Sequence, residues 1–324
     1  MAAVSKTPRP HRAGVLLAAL CVMQWATPVL AEPSEAYVTN QLGNSLSIVD
    51  LSKMAVAGEI KIEGAPVGIA FSPDGAEAYV TAPDSKDLVF IDTQKRSIVA
   101  RLPAGQGPVG VAVNPKTGAV YVADWYQHAL LAIDPQKRIV TGSVEVGKAP
   151  SGIAITPDGS LIVTADRESD ALSFINAADF KRTGSVSVGT HPFGLAIDRA
   201  GQRAYVANVI SNDVTIVDLK TRQSLATVKV GARPYMIAVT EDKAFVTNQG
   251  NSTVSVIDLA SNAVIKTMKV GDYPEGIAAD EAGKYIYVSC WSDNSIVRID
   301  AAALSVVDRV KVGNGPRSFG AFLR

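Results

Sequence analysis

Cysteine and histidine are scarce in this 324-residue chain. It has two cysteines, and Cys21 lies in an N-terminal segment that we expect to be removed, so no internal disulfide can form. Covalent dimerisation through Cys290 is the one disulfide that remains. Of the three histidines, only His128 and His191 lie beyond that segment, and their spacing fits neither a helical nor a hairpin pair of metal ligands. We therefore expect no metal site.

The chain also lacks an excess of charge and long hydrophobic runs. Its 31 basic residues balance its 31 acidic ones, and without residues 1–31 the net charge is −3. Nucleic-acid binding depends on clustered Lys and Arg, so we expect no nucleic-acid partner. The apolar run at residues 14–23 is too short to cross a bilayer, and no later run is more hydrophobic, so we expect no membrane span.

The N-terminus has the order of a secretory signal peptide. Lys6, Arg9 and Arg12 precede the apolar run, and small residues follow up to Ala31. We predict a signal peptide at residues 1–31, cleavage near Ala31 and a periplasmic protein. Residues 32–324 then form a single domain, because one repeat array without a linker occupies them.

A repeat of 40 to 43 residues fills that domain. Its seven copies begin at Tyr37, Tyr79, Tyr121, Ile162, Tyr205, Phe245 and Tyr287. Each copy contains four short runs rich in Val, Ile and Thr, bounded by Gly, Pro, Asn or Asp, which is typical of β-strands. The pattern predicts an all-β fold, a seven-bladed β-propeller with four antiparallel strands per blade. The chain begins at a second strand, residues 36–39, and ends with a first strand, residues 317–322. We expect the C-terminal strand to join the three N-terminal strands and close the ring.

Two positions recur for reasons of backbone geometry. A proline precedes the first strand of every blade, where a fixed φ is useful and no ladder donor is lost. A short side-chain acceptor follows every third strand, where it can hold a turn. The second set comprises Asp50, Asp92, Asp134, Asn176, Asp218, Asp258 and Asp300. We interpret both sets as scaffold.

The motifs resemble a known family. Residues 37–40 and 245–248 have the pattern Tyr/Phe-Val-Thr-Asn, and residues 72–75 and 156–159 read Ser/Thr-Pro-Asp-Gly. They are similar to the YVTN β-propeller repeat family of bacterial periplasmic and archaeal surface proteins, over essentially the whole of residues 32–324. The resemblance implies the propeller fold and leaves the activity open. Related propellers imply a link to a quinoprotein or cytochrome redox system, with no cofactor that these residues identify.

The copies differ from one another on one face of the predicted ring. Aromatic, charged and histidine side chains concentrate there, next to the repeated proline and in the loop between the second and third strands. The candidate ligand-binding residues are His191, Phe193, Arg233, Tyr235, Tyr273, Glu275, Arg317, Trp125, His128 and Trp291. The two arginines could hold an anion, or they could pair with Glu275 and Asp272 and leave the mouth neutral.

Three functions remain open from the sequence. The first is a periplasmic binding or accessory protein that holds a small anionic or aromatic ligand, or a loop of a periplasmic protein partner. The second is a propeller enzyme, a hydrolase, lyase or quinone-linked oxidoreductase subunit, with His191 and Glu275 as the catalytic candidates. The third is a structural module of the cell envelope. A closed ring needs no partner for stability, so we expect a monomer.

Overall fold

The computed structural model describes residues 1–5, 7 and 34–324, and its strands belong to one compact unit, Ala31–Arg324. The predicted signal peptide and its cleavage position fall mostly on residues outside this description. Strands β1 to β28 form seven sheets, and consecutive strands within each blade pair antiparallel. The seven-bladed, four-stranded propeller predicted from the repeat is confirmed.

We number the blades from the N-terminus. Blade 1 contains β1 (Glu35–Asn40), β2 (Ser45–Asp50) and β3 (Ala55–Lys61); blade 2 contains β4 (Gly68–Phe71), β5 (Glu77–Ala82), β6 (Asp87–Asp92) and β7 (Ser97–Pro103); blade 3 contains β8 (Pro108–Val113), β9 (Val120–Asp124), β10 (Ala129–Asp134) and β11 (Ile139–Glu145). Blade 4 contains β12 (Pro150–Ile155), β13 (Leu161–Asp166), β14 (Ala171–Asn176) and β15 (Lys181–Ser187); blade 5 contains β16 (Pro192–Ile197), β17 (Arg203–Asn208), β18 (Asp213–Asp218) and β19 (Gln223–Lys229). Blade 6 contains β20 (Pro234–Val239), β21 (Lys243–Asn248), β22 (Thr253–Asp258) and β23 (Ala263–Lys269); blade 7 contains β24 (Pro274–Ala279), β25 (Tyr285–Cys290), β26 (Ser295–Asp300) and β27 (Ser305–Lys311). Strand β28 (Phe319–Gly320) follows, and single 3-10 turns occupy Arg167–Ser169 and Gln249–Asn251. In the part of the chain described, no helix is long and apolar enough to cross a membrane.

The C-terminal segment closes the ring as the first strand of blade 1. The amide of Arg317 donates to the carbonyl of Thr39, and the amide of Tyr37 donates to the carbonyl of Phe322, both at 2.8 Å. The amide of Arg324 donates to the carbonyl of Glu35 at 2.8 Å, so the pairing extends along β1. Within this segment β28 also pairs in parallel with β4 of blade 2. Closure by the C-terminal strand is confirmed, and the parallel contact adds a second join.

The Tyr-Val-Thr-Asn motif is explained by packing and by hydrogen bonds. Its tyrosine is buried against the adjacent blade: the rings of Tyr37 and Phe71 lie 5.3 Å apart, edge to face. Its asparagine ties the second strand to the third, since Asn40 Nδ2 donates to the hydroxyls of Ser45 at 3.0 Å and Ser47 at 2.9 Å. The motif is therefore part of the scaffold.

The threonine of the motif joins neighbouring blades. Thr81 Oγ1 accepts from the amide of Gly68 in its own blade at 2.8 Å and donates to the carbonyl of Val109 in the next blade at 2.7 Å. Equivalent hydroxyls donate from Thr39 to the carbonyl of Val67, from Thr247 to that of Glu275 and from Ser289 to that of Arg317. In blades 3 to 5 alanine stands at this position (Ala123, Ala165 and Ala207). Ser151 Oγ makes the bond from blade 4 to the carbonyl of Phe193, at 3.0 Å. We call these hydroxyl bonds the blade latches.

The short acceptors, which are the last residues of the third strands, hold turns as predicted. Asp92 Oδ1 accepts from the amide of Lys95 at 2.8 Å, and Asn176 Oδ1 accepts from the amide of Ala178 at 2.9 Å. Hydrogen bonds from nearby residues lower the pKa of five of the aspartates, namely Asp50, Asp92, Asp134, Asp218 and Asp258.

Thr81→Val should destabilise the propeller by about 1–3 kcal/mol, because the buried amide of Gly68 and the carbonyl of Val109 lose their shared partner. The free energy of unfolding in urea is the measurement. Thr227→Val changes an exposed threonine of β19 and is the matched control. An equal effect of the two substitutions would contradict the role of the latch.

The turn aspartates should make the fold acid-sensitive. A carboxyl group whose pKa is lower in the folded chain than its unfolded value of about 3.9 stabilises the fold above that value and loses its contribution as the pH falls. We expect the thermal midpoint to decrease as the pH is lowered from 5 through 4 to 2.5. The double variant Asp92→Asn, Asp134→Asn keeps the acceptors, as Asn176 does naturally, and should show a smaller decrease. An unchanged pH dependence in that variant would refute the assignment.

Candidate functional site: the mouth of the channel

Two rings of side chains surround one end of the central channel. The inner ring contains the residue after the repeated proline of each blade: Val67, Val109, Ser151, Phe193, Tyr235, Glu275 and Arg317. The outer ring contains the residue after each second strand: Gln41, Pro83, Trp125, Arg167, Val209, Gln249 and Trp291. Backbone bonds fix the outer ring; the amide of Trp125, for example, donates to the carbonyl of Gly107 at 2.9 Å. We call the two rings together the mouth.

Aromatic side chains stack in the inner ring on one side of the channel. The rings of Phe193 and Tyr235 stack with centroids 4.2 Å apart, and Phe319 lies 5.0 Å from Phe193. Trp125 of the outer ring lies 6.3 Å from Phe193, and the guanidinium of Arg167 sits 5.6 Å above Trp125. Phe193, Tyr235 and Phe319 are almost fully buried. We call Phe193, Tyr235 and Phe319 the aromatic layer.

A chain of polar side chains crosses blades 6, 7 and 1. Arg317 Nε lies 2.9 Å from Glu275 Oε2, and Gln249 Nε2 donates to Glu275 Oε1 at 2.9 Å. Arg317 Nη1 donates to Gln41 Oε1 at 2.9 Å, and Nη2 donates to the hydroxyl of Tyr235. Glu275 is 3 % exposed, whereas the side chain of Arg317 is 22 % exposed. The guanidinium is thus held in one orientation by three neighbours and still reaches the mouth.

Burial controls the ionisation of this cluster. Burial raises the pKa of Glu275 to about 7, although Arg317 and the hydrogen bond from Gln249 act in the opposite direction. Burial also raises the pKa of Tyr235, so its phenol stays neutral at physiological pH. Arg317 is protonated at every accessible pH. Protonation of Glu275 therefore leaves the positive charge of Arg317 without its counter-charge.

A cavity of about 240 Å³ opens between the aromatic layer and the polar side chains around Arg317. Its lining residues are Gln41, Val67, Pro83, Gly107, Val109, Trp125, Tyr126, Phe193 and Arg317. Apart from the amide of Gln41, the walls are apolar or aromatic, and the one charged side chain in them is Arg317. Such a cavity suits a flat apolar group with an acceptor that the guanidinium can bind.

The structure also shows the contacts of the other candidate residues. Tyr273 and Trp291 pair with each other, 5.8 Å apart and tilted. Arg233 is exposed and pairs with neither Glu275 nor Asp272, so the neutralising alternative applies to Arg317 alone. The partners of the Glu275 carboxylate are Arg317 and Gln249, and His191 is not among them.

Both histidines occupy recurring backbone positions. His128 is the residue before the third strand, where every blade has a positive φ, and its Nδ1 accepts from the amide of Ala149 at 3.1 Å. Asn44, Asn212 and Asn294 make the equivalent bond with Oδ1 to Ala65, Arg233 and Gly315. His191 stands before the repeated proline with a φ of 56°, and its amide donates to Asp170 Oδ1 at 2.8 Å. The imidazole of His128 is therefore a link between blades.

Sequence reasoning missed Gln41, Gln249 and Phe319. The two glutamines occupy the same outer-ring position as Trp125 and Trp291, so a comparison of that position in all seven blades was the available signal. Phe319 replaces the aliphatic residue of the other six blades, such as Ile69 or Val111.

Cys290 is buried, and burial raises the pKa of its thiol to about 12, so it is protonated at neutral pH. Among residues 34–324 no group of three His, Cys, Asp or Glu side chains is placed to bind a metal ion.

Known proteins show similarity at the level of fold and family. Hydrazine synthase of Kuenenia stuttgartiensis matches with a TM-score of 0.75 at 18 % identity, covering 87 % of this chain and 99 % of that one. A protein of unknown function from Desulfotomaculum acetoxidans DSM 771 matches with a TM-score of 0.76 at 19 % identity, covering 87 % and 98 %. The dihydro-heme d1 dehydrogenase NirN, in complex with DHE, matches with a TM-score of 0.67 at 16 % identity, covering 92 % and 77 %. At these identities the likeness shows the propeller fold alone.

No curated protein sequence matches the chain. One protein family matches the chain over residues 68–273, which is more than half of the sequence. The matched region extends from the start of β4 to the residue before β24. The chain therefore belongs to the choice-of-anchor I domain family.

Proposed function

We propose that this protein is a periplasmic binding or accessory propeller that holds a small aromatic anion, or an equivalent group on a partner protein, in the mouth of its channel. The observation that carries the proposal is the 240 Å³ cavity, in which Trp125 and Phe193 form flat walls and Arg317 supplies one fixed cation. The periplasmic location depends on the signal peptide predicted at residues 1–31.

Arg317 has donors to spare for a ligand. A guanidinium carries five N–H groups, and two of them donate to Gln41 and Tyr235, while the Glu275 carboxylate forms an ion pair with the Nε edge. The two hydrogen bonds and the ion pair fix the plane of the group, so little side-chain entropy is lost when an anion binds. The cavity is smaller than the usual range of about 300–1,000 Å³ for ligand sites, which favours a single or fused ring over a larger cofactor.

Binding is the function that the contacts favour over catalysis in the same cavity. The catalytic alternative relies on His191 and Glu275, but the Glu275 carboxylate is engaged by Arg317 and Gln249. A role beside a secreted quinoprotein or cytochrome would account for the redox link that the YVTN resemblance implies. A partner loop that ends in an aromatic and an acidic residue would meet the same requirements as a small ligand.

Arg317→Met should weaken the binding of an aromatic anion by about tenfold or more, because it removes the cation from an apolar cavity. The probe is 8-anilinonaphthalene-1-sulfonate, titrated by fluorescence, and Trp125→Ala should weaken its binding similarly. Arg233→Met removes an exposed arginine of the same face and is the matched control. Circular dichroism checks that the variants remain folded. Equal affinity in the wild type, Arg317→Met and Trp125→Ala would refute the proposal.

Affinity for the sulfonate should also rise as the pH falls from 8 to 6. The sulfonate stays ionised throughout, whereas Glu275 becomes protonated near its pKa of about 7 and ceases to compensate Arg317. Glu275→Gln should bind more tightly at pH 8 and show little pH dependence. A wild-type affinity that is flat over this range would mean that Glu275 does not control the mouth.

A further inference from the structure

We propose that the opposite end of the channel is a second, separate binding site, which takes a small uncharged apolar molecule. This end holds a cavity of about 410 Å³, within the usual range for ligand sites and larger than the cavity at the mouth. All seven blades contribute residues to its wall. We call this space the lower cavity.

Apolar side chains line the lower cavity throughout. Alanines on the inner strands leave its space open, among them Ala70, Ala112, Ala154 and Ala278. Larger side chains such as Phe71 and Leu195 complete the wall, and none of the lining side chains is titratable. Polar atoms in the wall come from the main chain alone. A water molecule in such a space makes few hydrogen bonds. An apolar ligand would therefore displace this water at a small cost in free energy.

The lower cavity and the cavity at the mouth share no lining residue, and the aromatic layer lies between them on the side of blades 5, 6 and 1. Phe319 and Met236 line the lower cavity, whereas Phe193 lines the cavity at the mouth. The contact of Phe193 with Phe319, at 5.0 Å, lies between the two spaces. A ligand in the lower cavity therefore does not meet Arg317, and the two sites should bind independently.

The rim of the lower cavity is acidic. The turns that follow the inner strands carry seven acidic residues and four basic ones. The acidic residues are Asp74, Asp158, Asp198, Glu241, Asp242, Asp280 and Glu281, and the basic ones are Lys116, Arg199, Lys284 and Arg324. A neighbouring depression shares Phe71, Ala278, Ala279 and Ala321 with the cavity and includes three of the acidic residues and one basic residue, Arg324. This excess of negative charge disfavours anions such as fatty carboxylates, and the apolar wall disfavours a buried charge of either sign, so we expect an uncharged occupant.

The test uses a neutral dye, N-phenyl-1-naphthylamine, which has the aromatic skeleton of the sulfonate probe without its charge. We expect one dye per protein, with blue-shifted emission. Ala112→Trp fills the lower cavity and should weaken binding at least about tenfold. Ala302→Trp changes an exposed alanine in the turn before β27 and should have no effect. Arg317→Met should leave the neutral dye bound and weaken only the sulfonate, so failure at one site is distinguishable from failure at the other.

A second measurement detects the dye in the wild-type protein and uses a substitution only to assign one resonance. In protein labelled with ¹³C at the methionine methyl groups, saturating dye should shift the resonance of Met236, assigned through Met236→Leu. The resonances of Met54 and Met268, which are buried elsewhere, should stay in place. An unshifted Met236 resonance, or unchanged dye affinity in folded Ala112→Trp, would overturn the proposal.

Discussion

The blade latches are the interaction on which the rest of the ring depends. The inner strand of each blade is an edge strand, and its amide and carbonyl groups need partners outside its own sheet. A hydroxyl on the second strand supplies one partner within the blade and reaches the next blade as well. The carbonyl that accepts it belongs to the inner-ring residue, including Glu275 and Arg317. The latches therefore also position five of the seven inner-ring residues, Val67, Val109, Phe193, Glu275 and Arg317.

The sequence was sufficient to predict the fold because the period, the turn residues and the two ends of the chain all depend on local or repeated features. It also predicted that Phe193, Tyr235 and Arg317 lie on one face, since all three follow the repeated proline. It could not show that Arg317 pairs with Glu275 and Gln41, because those contacts depend on the rotation between blades. His128 was assigned to the ligand site because its aromatic neighbours suggested function, whereas its backbone conformation, invisible in the sequence, makes it a link between blades.

The polar half of the mouth is not required by the scaffold. Blades 2 and 3 place Val67 and Val109 at the inner-ring position and complete the ring with the same geometry. A buried ion pair often contributes less stability than apolar side chains of similar volume, since both charges lose their hydration. If only packing mattered at the centre of the ring, valine would serve in blades 7 and 1 as well. Glu275 and Arg317, with Gln249 and Gln41 as hydrogen-bond partners, are therefore side chains that the geometry of the ring does not itself require.

The aromatic layer explains how one channel holds two cavities of different character. Its three large side chains come from blades 5, 6 and 1, so they fill one side of the channel and leave the side of blades 2 and 3 open toward the mouth. Beyond the layer the inner strands carry alanine and branched aliphatic side chains, which cannot fill the centre of a seven-bladed ring. Because the layer is made of side chains and the strands continue past it unchanged, the two ends can differ in charge while the backbone repeat stays the same. A polar mouth and an apolar lower cavity are therefore compatible within one scaffold.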